Sequence, residues 1–200
     1  MICLASTTII IEEETNDIPI VEEIFENIGR STFFSVIDLK SAYLQIVLHA
    51  ESRRYTSFTH RNSRYQFTRI PFGLKTAPAY FQRKIRKILQ DEECSEFAVN
   101  FFDDIIVHSQ GLEEHVQHLI RVIASLTKYK LTISKEKCRL IGTKLEILGH
   151  IVMNGTISIN HAKFNSMMRW PRPSTRKELQ RLLGTLNYFR KFIPNYESQP

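Results

Sequence analysis

The chain has 200 residues, a hydrophobic fraction of 42%, an aromatic fraction of 10% and a net charge of +6, which indicates a globular protein with a sizeable core and excludes a disordered chain. The cysteines, Cys3, Cys94 and Cys138, are widely spaced with no Cys-x-x-Cys pair, which excludes a zinc ribbon and a disulfide framework and favours a reducing, intracellular setting. The apolar start soon meets Glu12, so no signal peptide or membrane span is expected.

The charge is unevenly distributed along the chain. The first 30 residues contain seven acids and one base, whereas the remainder is basic. A basic body favours a polyanion partner, most plausibly nucleic acid. A solvated basic surface explains the same charge equally well, so charge alone does not decide between the two.

The first predicted elements are a helix and a buried strand. Apolar residues recur at helical spacing over residues 20–28, and Gly29 ends the pattern. The apolar run 33–37 predicts a buried strand that ends at Asp38. An acid in this position either faces a cleft or simply terminates the strand. Residues 45–48 predict another strand.

A hairpin with one basic face is predicted next. Arginines alternate with aromatic residues at a period near two, and the chain turns near residues 61–63. Basic side chains beside aromatic rings can hold phosphates and stack on bases, but an ordinary solvated hairpin has the same pattern. The residues concerned are Arg53, Arg54, Tyr55, Phe58, Arg61, Arg64, Tyr65, Phe67 and Arg69.

Two adjacent acids follow a helix that Thr76 can cap. Asp103 and Asp104 separate two short apolar runs within residues 99–107, which predicts a buried hairpin with both acids at its tip. Adjacent carboxylates repel each other and resist burial unless a positive partner holds them, and a divalent cation would suffice. A surface Asp-Asp turn is the alternative for this stretch on its own.

The rest of the chain predicts helices and short strands. A helix is expected over about 113–128, with a stripe of Val116, Leu119, Ile120, Ile123 and Leu126; on it, His115 and His118 are interpreted as surface histidines rather than metal ligands. Strands are expected at 131–133, 145–152 and 156–159, with a turn at Asn154-Gly155. Thr175 and Glu178 form a capping-box pattern that opens a last helix.

Three carboxylates would meet if the predicted strand ends are neighbours. Asp38, Asp103 and Asp104 could then hold two cations about 3.5–4 Å apart, the arrangement that supports in-line phosphoryl or nucleotidyl transfer. Carboxylate oxygens suit Mg²⁺, which keeps water and substrate phosphates in its coordination shell.

The chain resembles the reverse transcriptase domain of gypsy-type long-terminal-repeat retrotransposon polyproteins. The matching motifs run in the family's order over about residues 18–196. They are FSVIDLKSAYLQI, RYQFTRIPFGLKTAPAYFQR, NFFDDIIVHS, EEHVQHL, LTISKEKC, LEILGHIV and WPRPSTRKELQRLLGTLNYFRKFIPNY.

The resemblance implies an α+β fold, a right-hand polymerase palm in which helices cover one face of an antiparallel sheet. Residues 1–30 would form an acidic leader and a remnant fingers helix. Residues 31–155 would form the palm, with a fingers hairpin inserted at about 49–74. Residues 156–200 would begin the helical thumb or connection region.

The resemblance also implies roles for individual residues. Asp38, Asp103 and Asp104 would be the catalytic metal ligands, and Tyr43 would exclude the 2′-hydroxyl of a ribonucleotide. Lys137 would be a candidate proton donor to the leaving pyrophosphate. The nucleotide pocket would include Phe72 and Gly73, and primer and template would contact Phe101, Phe102, Leu148, Gly149 and His150.

The implied function is RNA-directed DNA polymerase activity. The chain would extend a primer on an RNA or DNA template with deoxynucleoside triphosphates, using two Mg²⁺ ions for which Mn²⁺ could substitute. Two alternatives are a catalytically inactive nucleic-acid-binding remnant and an unstable fragment without function.

The chain departs from the family pattern in three respects. Phe101-Phe102 stands where the family has Tyr followed by a smaller aliphatic residue. The family's upstream fingers segment, which contains an Asp-Tyr-Arg stretch, is not matched by residues 1–14. The protease, ribonuclease H and integrase portions are also absent, so a truncated piece of a polyprotein is expected.

Overall fold

The computed structural model describes residues 21–160, 165 and 169–192. The predicted acidic leader lies mostly outside these described residues. The chain divides into two compact units, residues 1–142 and 143–200. The predicted palm boundary at residue 155 falls inside the second unit, and the predicted domain division stays a prediction. Among the described helices, none is both long and apolar enough to cross a membrane.

The first unit combines helices with a mainly antiparallel sheet, as predicted. Its longest sheet has the strand order β4-β5-β1-β6, and β2 pairs with β3 in a separate hairpin. Two short 3₁₀ helices occur at Ala42–Gln45 and Ala50–Thr56. The other elements are α1 (Val21–Ile28), β1 (Phe33–Asp38), β2 (Phe58–His60), β3 (Ser63–Tyr65), α2 (Ala77–Asp91), β4 (Ala98–Phe101), β5 (Asp104–Ser109), α3 (Leu112–Lys128) and β6 (Arg139–Gly142).

The main core lies between one face of this sheet and helices α2 and α3. Alternate residues of a strand point to opposite faces, so Ile37 of β1 and Ile105 of β5 share the helix-covered face. Phe81 of α2 and Val122 of α3 pack into the same cluster and are fully buried. The opposite face of β1 and β5 therefore carries Asp38 and the residues in register with it.

Two of the strand predictions are wrong. Residues 45–48 form the end of a 3₁₀ helix and one bridge from Val47 to Arg69, and residues 131–133 contribute only a bridge from Ile133 to Leu39. The backbone of residues 46–48 pairs with residues 68–70 over this single bridge, since the Leu48 amide donates to the Thr68 carbonyl at 2.9 Å and the Ile70 amide donates to the Ile46 carbonyl at 3.0 Å. The Gln45 side chain contacts a different segment. It donates hydrogen bonds to the carbonyls of Lys40 and Thr132 at 2.7 and 3.0 Å and accepts one from the Thr132 amide at 2.6 Å.

The helix predicted over about 113–128 is confirmed as α3, but two of its side chains were assigned to the wrong face. Ile120 was placed in the buried stripe, yet its side chain is 57% exposed. His115 was interpreted as a surface residue, but it is fully buried. Its Nε2 lies 2.8 Å from the Ser35 hydroxyl and its Nδ1 lies 2.9 Å from the Ser109 hydroxyl, so both ring nitrogens have partners inside the core.

We expect the first unit to lose stability in mild acid. Burial lowers the pKa of His108 from 6.5 to about 4, and burial also lowers the pKa of His115. The unfolded chain therefore binds protons that the folded chain does not, and the free energy of unfolding falls as the pH drops from 6.5 to about 4. For His108 alone, linkage gives a loss of about 2 kcal/mol between pH 7.5 and pH 5.

Urea unfolding at these two pH values measures this loss. A His108→Gln variant should show a smaller pH dependence than the unmodified chain. A variant of the exposed His60 on the β2–β3 hairpin should retain the full dependence, and equal slopes for all three proteins would contradict the assignment.

The second unit contains a three-stranded antiparallel sheet, β7-β8-β9, and helical segments. The segment 145–152, predicted as strand, is two paired strands with a turn at residues 148–149. The predicted turn at Asn154-Gly155 is confirmed, since both residues have positive φ, at 50° and 73°. The capping box is also confirmed, because the Glu178 amide donates to the Thr175 hydroxyl at 3.2 Å and the Glu178 carboxylate accepts from the Thr175 amide at 3.2 Å. The bounds are β7 (Lys144–Ile147), β8 (His150–Met153), β9 (Thr156–Ile159), α4 (Arg176–Tyr188) and a 3₁₀ helix (Arg190–Phe192).

Candidate active site

The two adjacent acids occupy different positions in the β4–β5 hairpin. Phe101 pairs with Asp104, so Phe102 and Asp103 alone form the turn. The prediction that both acids lie at the tip is therefore wrong for Asp104, which is the first residue of β5. Phe102 adopts a left-handed backbone conformation, φ = 50°, as tight hairpin turns require.

Three carboxylates meet at this end of the sheet. Asp38 is the last residue of β1 and lies directly opposite Asp104 of β5, while Asp103 precedes Asp104 in the turn. All three residues are half-buried. The strand order therefore brings together the three acids that the sequence singled out.

The electrostatics of the three acids favour a positive ligand. Burial raises the pKa of Asp104, and the negative charge of Asp38 and then of Asp103 raises it further, against the opposing effects of Arg139 and Lys137. One carboxylate oxygen each of Asp38 and Asp103, Oδ1, is buried without a hydrogen-bond partner. Such oxygens are costly to bury unless a cation or donor reaches them.

The donor set fits a divalent cation that also has ligands from its substrate. Across the described ranges, no group of three or more His, Cys, Asp or Glu residues is arranged so that it could hold a metal ion. Mg²⁺ is usually held by one or two carboxylates together with substrate phosphates and water. Oxygen donors with unpartnered lone pairs match that mode of binding.

An aromatic cluster adjoins the acids. Tyr43, in the first 3₁₀ helix, packs edge-on against Phe72 and Phe81 with ring centroids 5.4 and 5.5 Å apart. Its hydroxyl interacts with Asp103: burial, the negative charge of Asp103 and a hydrogen bond to that carboxylate raise the pKa of Tyr43 to about 12. Phe72 is 60% exposed, and the adjacent Gly73 has φ = 93° and open space around its Cα. The structure thus brings Tyr43 and Phe72 together beside Asp103.

Two bases lie near the acids. The Nζ atom of Lys137 is 3.8 Å from the Asp38 Oδ1 atom. The sequence reasoning missed Arg139, whose charge acts on Asp104 more strongly than that of Lys137. It was missed because β6 was not predicted. The only available signal was its position two residues after Lys137, which itself lies in the turn before β6.

The remaining predicted residues are a ring pair and a turn. The Phe101 and Phe102 rings contact each other edge-on, with centroids 4.5 Å apart. In the second unit, Leu148 and Gly149 form the β7–β8 turn with φ values of 52° and 77°. His150 begins β8 and is buried among Tyr188, Phe189 and Phe192.

The β2–β3 hairpin carries three partly exposed aromatic side chains. The ring of Phe58 stacks on that of Tyr65 with centroids 5.6 Å apart and tilts against that of Phe67 at 5.5 Å. The turn residues Arg61 and Asn62 both have positive φ, which confirms the predicted turn. The hairpin is shorter than predicted, since its strands span only Phe58–Tyr65. The prediction is wrong for Arg53, Arg54 and Tyr55, which lie in the 3₁₀ helix Ala50–Thr56, and for Arg69, which forms a bridge with Val47.

Comparison with known proteins gives one consistent result. A family model described as reverse transcriptase (RNA-dependent DNA polymerase) matches residues 5–152. The chain is 38% identical over 183 residues to the Pol polyprotein of transposon opus from Drosophila melanogaster, which covers 92% of this chain and 18% of the relative. It is 33% identical to that of the gypsy transposon of the same organism, over 89% of this chain and 17% of the relative.

Solved structures give the same result. The foamy viral protease-reverse transcriptase in complex with double-stranded DNA has a TM-score of 0.78 at 25% identity, over 93% of this chain and 38% of that one. The same enzyme in complex with an RNA/DNA hybrid has a TM-score of 0.74 at 26% identity, over 88% of this chain and 24% of that one. The chain spans less than a fifth of the length of the polyproteins compared above.

Proposed function

The chain belongs to the reverse transcriptase family, and we propose that it catalyses RNA-directed DNA synthesis, extending a primer with deoxynucleoside triphosphates. One observation carries the proposal. Asp38 and Asp104 lie opposite each other in register, Asp103 lies in the adjoining turn, and one carboxylate oxygen each of Asp38 and Asp103 is buried without a hydrogen-bond partner.

Asp38, Asp103 and Asp104 would hold two Mg²⁺ ions, for which Mn²⁺ could substitute. These ions would activate the primer 3′-hydroxyl and stabilise the charge that develops on the reacting phosphate. The protein's own contribution is to keep the three carboxylates together, and the β1–β5 ladder does this because the Asp38–Asp104 pair is its last rung.

The neighbouring residues would bind and orient the substrates. The Tyr43 ring, held by Phe72 and Phe81, would lie under the sugar of the incoming nucleotide, and Phe72 and Gly73 would line its pocket. Lys137, which is close to Asp38, would donate a proton to the leaving pyrophosphate. In the β7–β8 turn, the partly exposed Leu148 would contact the primer, whereas Gly149 and His150 are buried and would shape the turn.

A template–primer duplex is the proposed macromolecular partner. The basic charge of the chain and the aromatic, basic β2–β3 hairpin support a nucleic acid ligand. The foamy viral relatives are described in complex with double-stranded DNA and with an RNA/DNA hybrid, which supports the same partner class for this chain.

Primer extension on a poly-rA template with an oligo-dT primer tests the proposal. The unmodified chain should incorporate dTTP in the presence of Mg²⁺ and lose this activity when the metal is chelated. A folded chain that shows no incorporation with either Mg²⁺ or Mn²⁺ would contradict the proposed activity.

The Phe101-Phe102 pair favours a second candidate function, an inactive nucleic-acid-binding module. Phe101 lacks the hydroxyl that the family has there, and the Phe102 ring is 37% exposed at a left-handed turn residue. For this candidate, duplex binding should persist without incorporation, and its affinity should fall steeply with salt because released counterions drive it.

A further inference from the structure

An arginine that the proposed function leaves unused lies on the acid-bearing face of the sheet. Arg139 of β6 lies directly opposite Val36 of β1. Opposed residues of antiparallel strands project to the same face, and so do residues two apart in one strand. Arg139, Val36 and Asp38 therefore share a face, and Asp104 shares it because it lies opposite Asp38.

The Arg139 guanidinium has no protein partner in the part of the chain that the structure describes. The side chain is exposed and takes part in no ion pair within 4.0 Å and in no side-chain hydrogen bond. Its charge nevertheless acts on Asp104 and lowers the pKa of that carboxyl group. An exposed arginine that forms no ion pair or hydrogen bond contributes little to folding stability.

Two basic side chains, Lys137 and Arg139, lie near the three acids. Lys137 is two residues before Arg139 and reaches within 3.8 Å of Asp38. A ligand that satisfies both sets of charges must carry cations for the acids and anionic oxygens for the bases. A metal-bound triphosphate has this composition, and a guanidinium can bind two of its oxygens at once.

We propose that Arg139 binds the β- and γ-phosphates of the incoming nucleotide and then the pyrophosphate, beside Lys137. This inference rests on the proposed function. In that reaction the primer 3′-hydroxyl loses its proton to solvent, its oxygen bonds to the α-phosphorus and the α–β phosphoanhydride bond breaks, so the departing pyrophosphate takes the electron pair of that bond. Arg139 thereby stabilises the group on which negative charge accumulates.

The test compares Arg139→Gln and Arg139→Lys with the unmodified chain. Loss of a charge-assisted hydrogen bond to phosphate should raise the KM for dTTP and the Ki of inorganic pyrophosphate about tenfold or more in Arg139→Gln. The KM for template–primer should stay within about twofold, and Arg139→Lys should recover part of the loss. Arg121→Gln is the matched control, since Arg121 is an exposed arginine paired with Glu93 on another surface.

Two kinetic results would overturn the proposal. One is an unchanged KM for dTTP and Ki for pyrophosphate in Arg139→Gln. The other is a change confined to the Mg²⁺ concentration dependence, because this would reduce Arg139 to a counter-charge for Asp104.

A binding measurement separates this proposal from the proposed function. Calorimetric titration with pyrophosphate in the presence of Mn²⁺ requires no catalysis. If the unmodified chain binds pyrophosphate but does not extend a primer, and Arg139→Gln binds it at least several-fold more weakly, the proposed activity fails and the Arg139 assignment stands. Absence of pyrophosphate binding by the unmodified chain would overturn the assignment.

Discussion

Replacing Asp103 with Asn should abolish primer extension by this chain. The substitution preserves the size of the side chain but removes a negative charge from the three-carboxylate cluster, so two divalent cations can no longer be held together. Metal ions contribute several kcal/mol of charge stabilisation in such reactions, so we expect the rate of dTTP incorporation to fall by at least about 10³-fold.

The fold should survive this change. Asp103 lies in the hairpin turn, and one of its carboxylate oxygens is buried without a partner, so removing its charge should not destabilise the chain. The Asp103→Asn variant should therefore unfold at the same urea concentration or a higher one. Asp91→Asn, which affects an exposed acid paired with Lys87 at the end of α2, should retain full activity. Incorporation that persists in Asp103→Asn would indicate a contaminating polymerase or a different catalytic centre.

Shortening Tyr43 should admit ribonucleotides. The ring is held edge-on between Phe72 and Phe81, so it can act as a fixed wall against a 2′-hydroxyl. Replacement of Tyr43 with Val removes that wall. Steric discrimination by a few heavy atoms is worth roughly 1–3 kcal/mol, so the ratio of kcat/KM for ATP to that for dATP should rise about 10–100-fold.

Two variants separate the ring of Tyr43 from its hydroxyl. Tyr43→Phe keeps the ring and should leave the sugar ratio within about threefold, although it removes the hydrogen bond to Asp103. Tyr65→Val, on the β2–β3 hairpin, should leave the ratio unchanged. A Tyr43→Val variant that still excludes ATP would refute the role of the ring.

The fold could be predicted where the pattern of side chains is regular. The apolar run before Asp38, the helical spacing over residues 20–28 and the capping box at Thr175 each gave the correct element. The strand predicted at 45–48 is wrong because this segment pairs with residues 68–70 over a single bridge, which is too short to form a strand. Strand β6 was missed because three of its four residues are exposed and its pairing with β1 is irregular.

The candidate site, too, could be predicted from the sequence only in part. The acids could be predicted because adjacent carboxylates among apolar residues are chemically unusual. Their exact places could not, since whether Asp104 is in the turn or the strand depends on a one-residue register. His115 was misassigned as a surface residue because neither of its partners stands out in the sequence. Ser35 is 80 residues away, and Ser109, six residues away, belongs to no recognisable motif. Arg139 was missed because its neighbours come from β1, about 100 residues earlier.

Ser35 has a consequence for how this unit reaches its folded state. It is the one polar residue in the apolar run of β1, and its hydroxyl contacts the His115 ring, 80 residues away, and the Ile141 amide, 106 residues away. Strand β1 therefore leaves the ribosome more than a hundred residues before its last hydrogen-bonding partner. Chains with such distant pairings fold slowly, and their unpaired apolar strands are prone to aggregation until the partners arrive. The interval between the synthesis of residues 35 and 141 is thus when this unit is most exposed to misassembly.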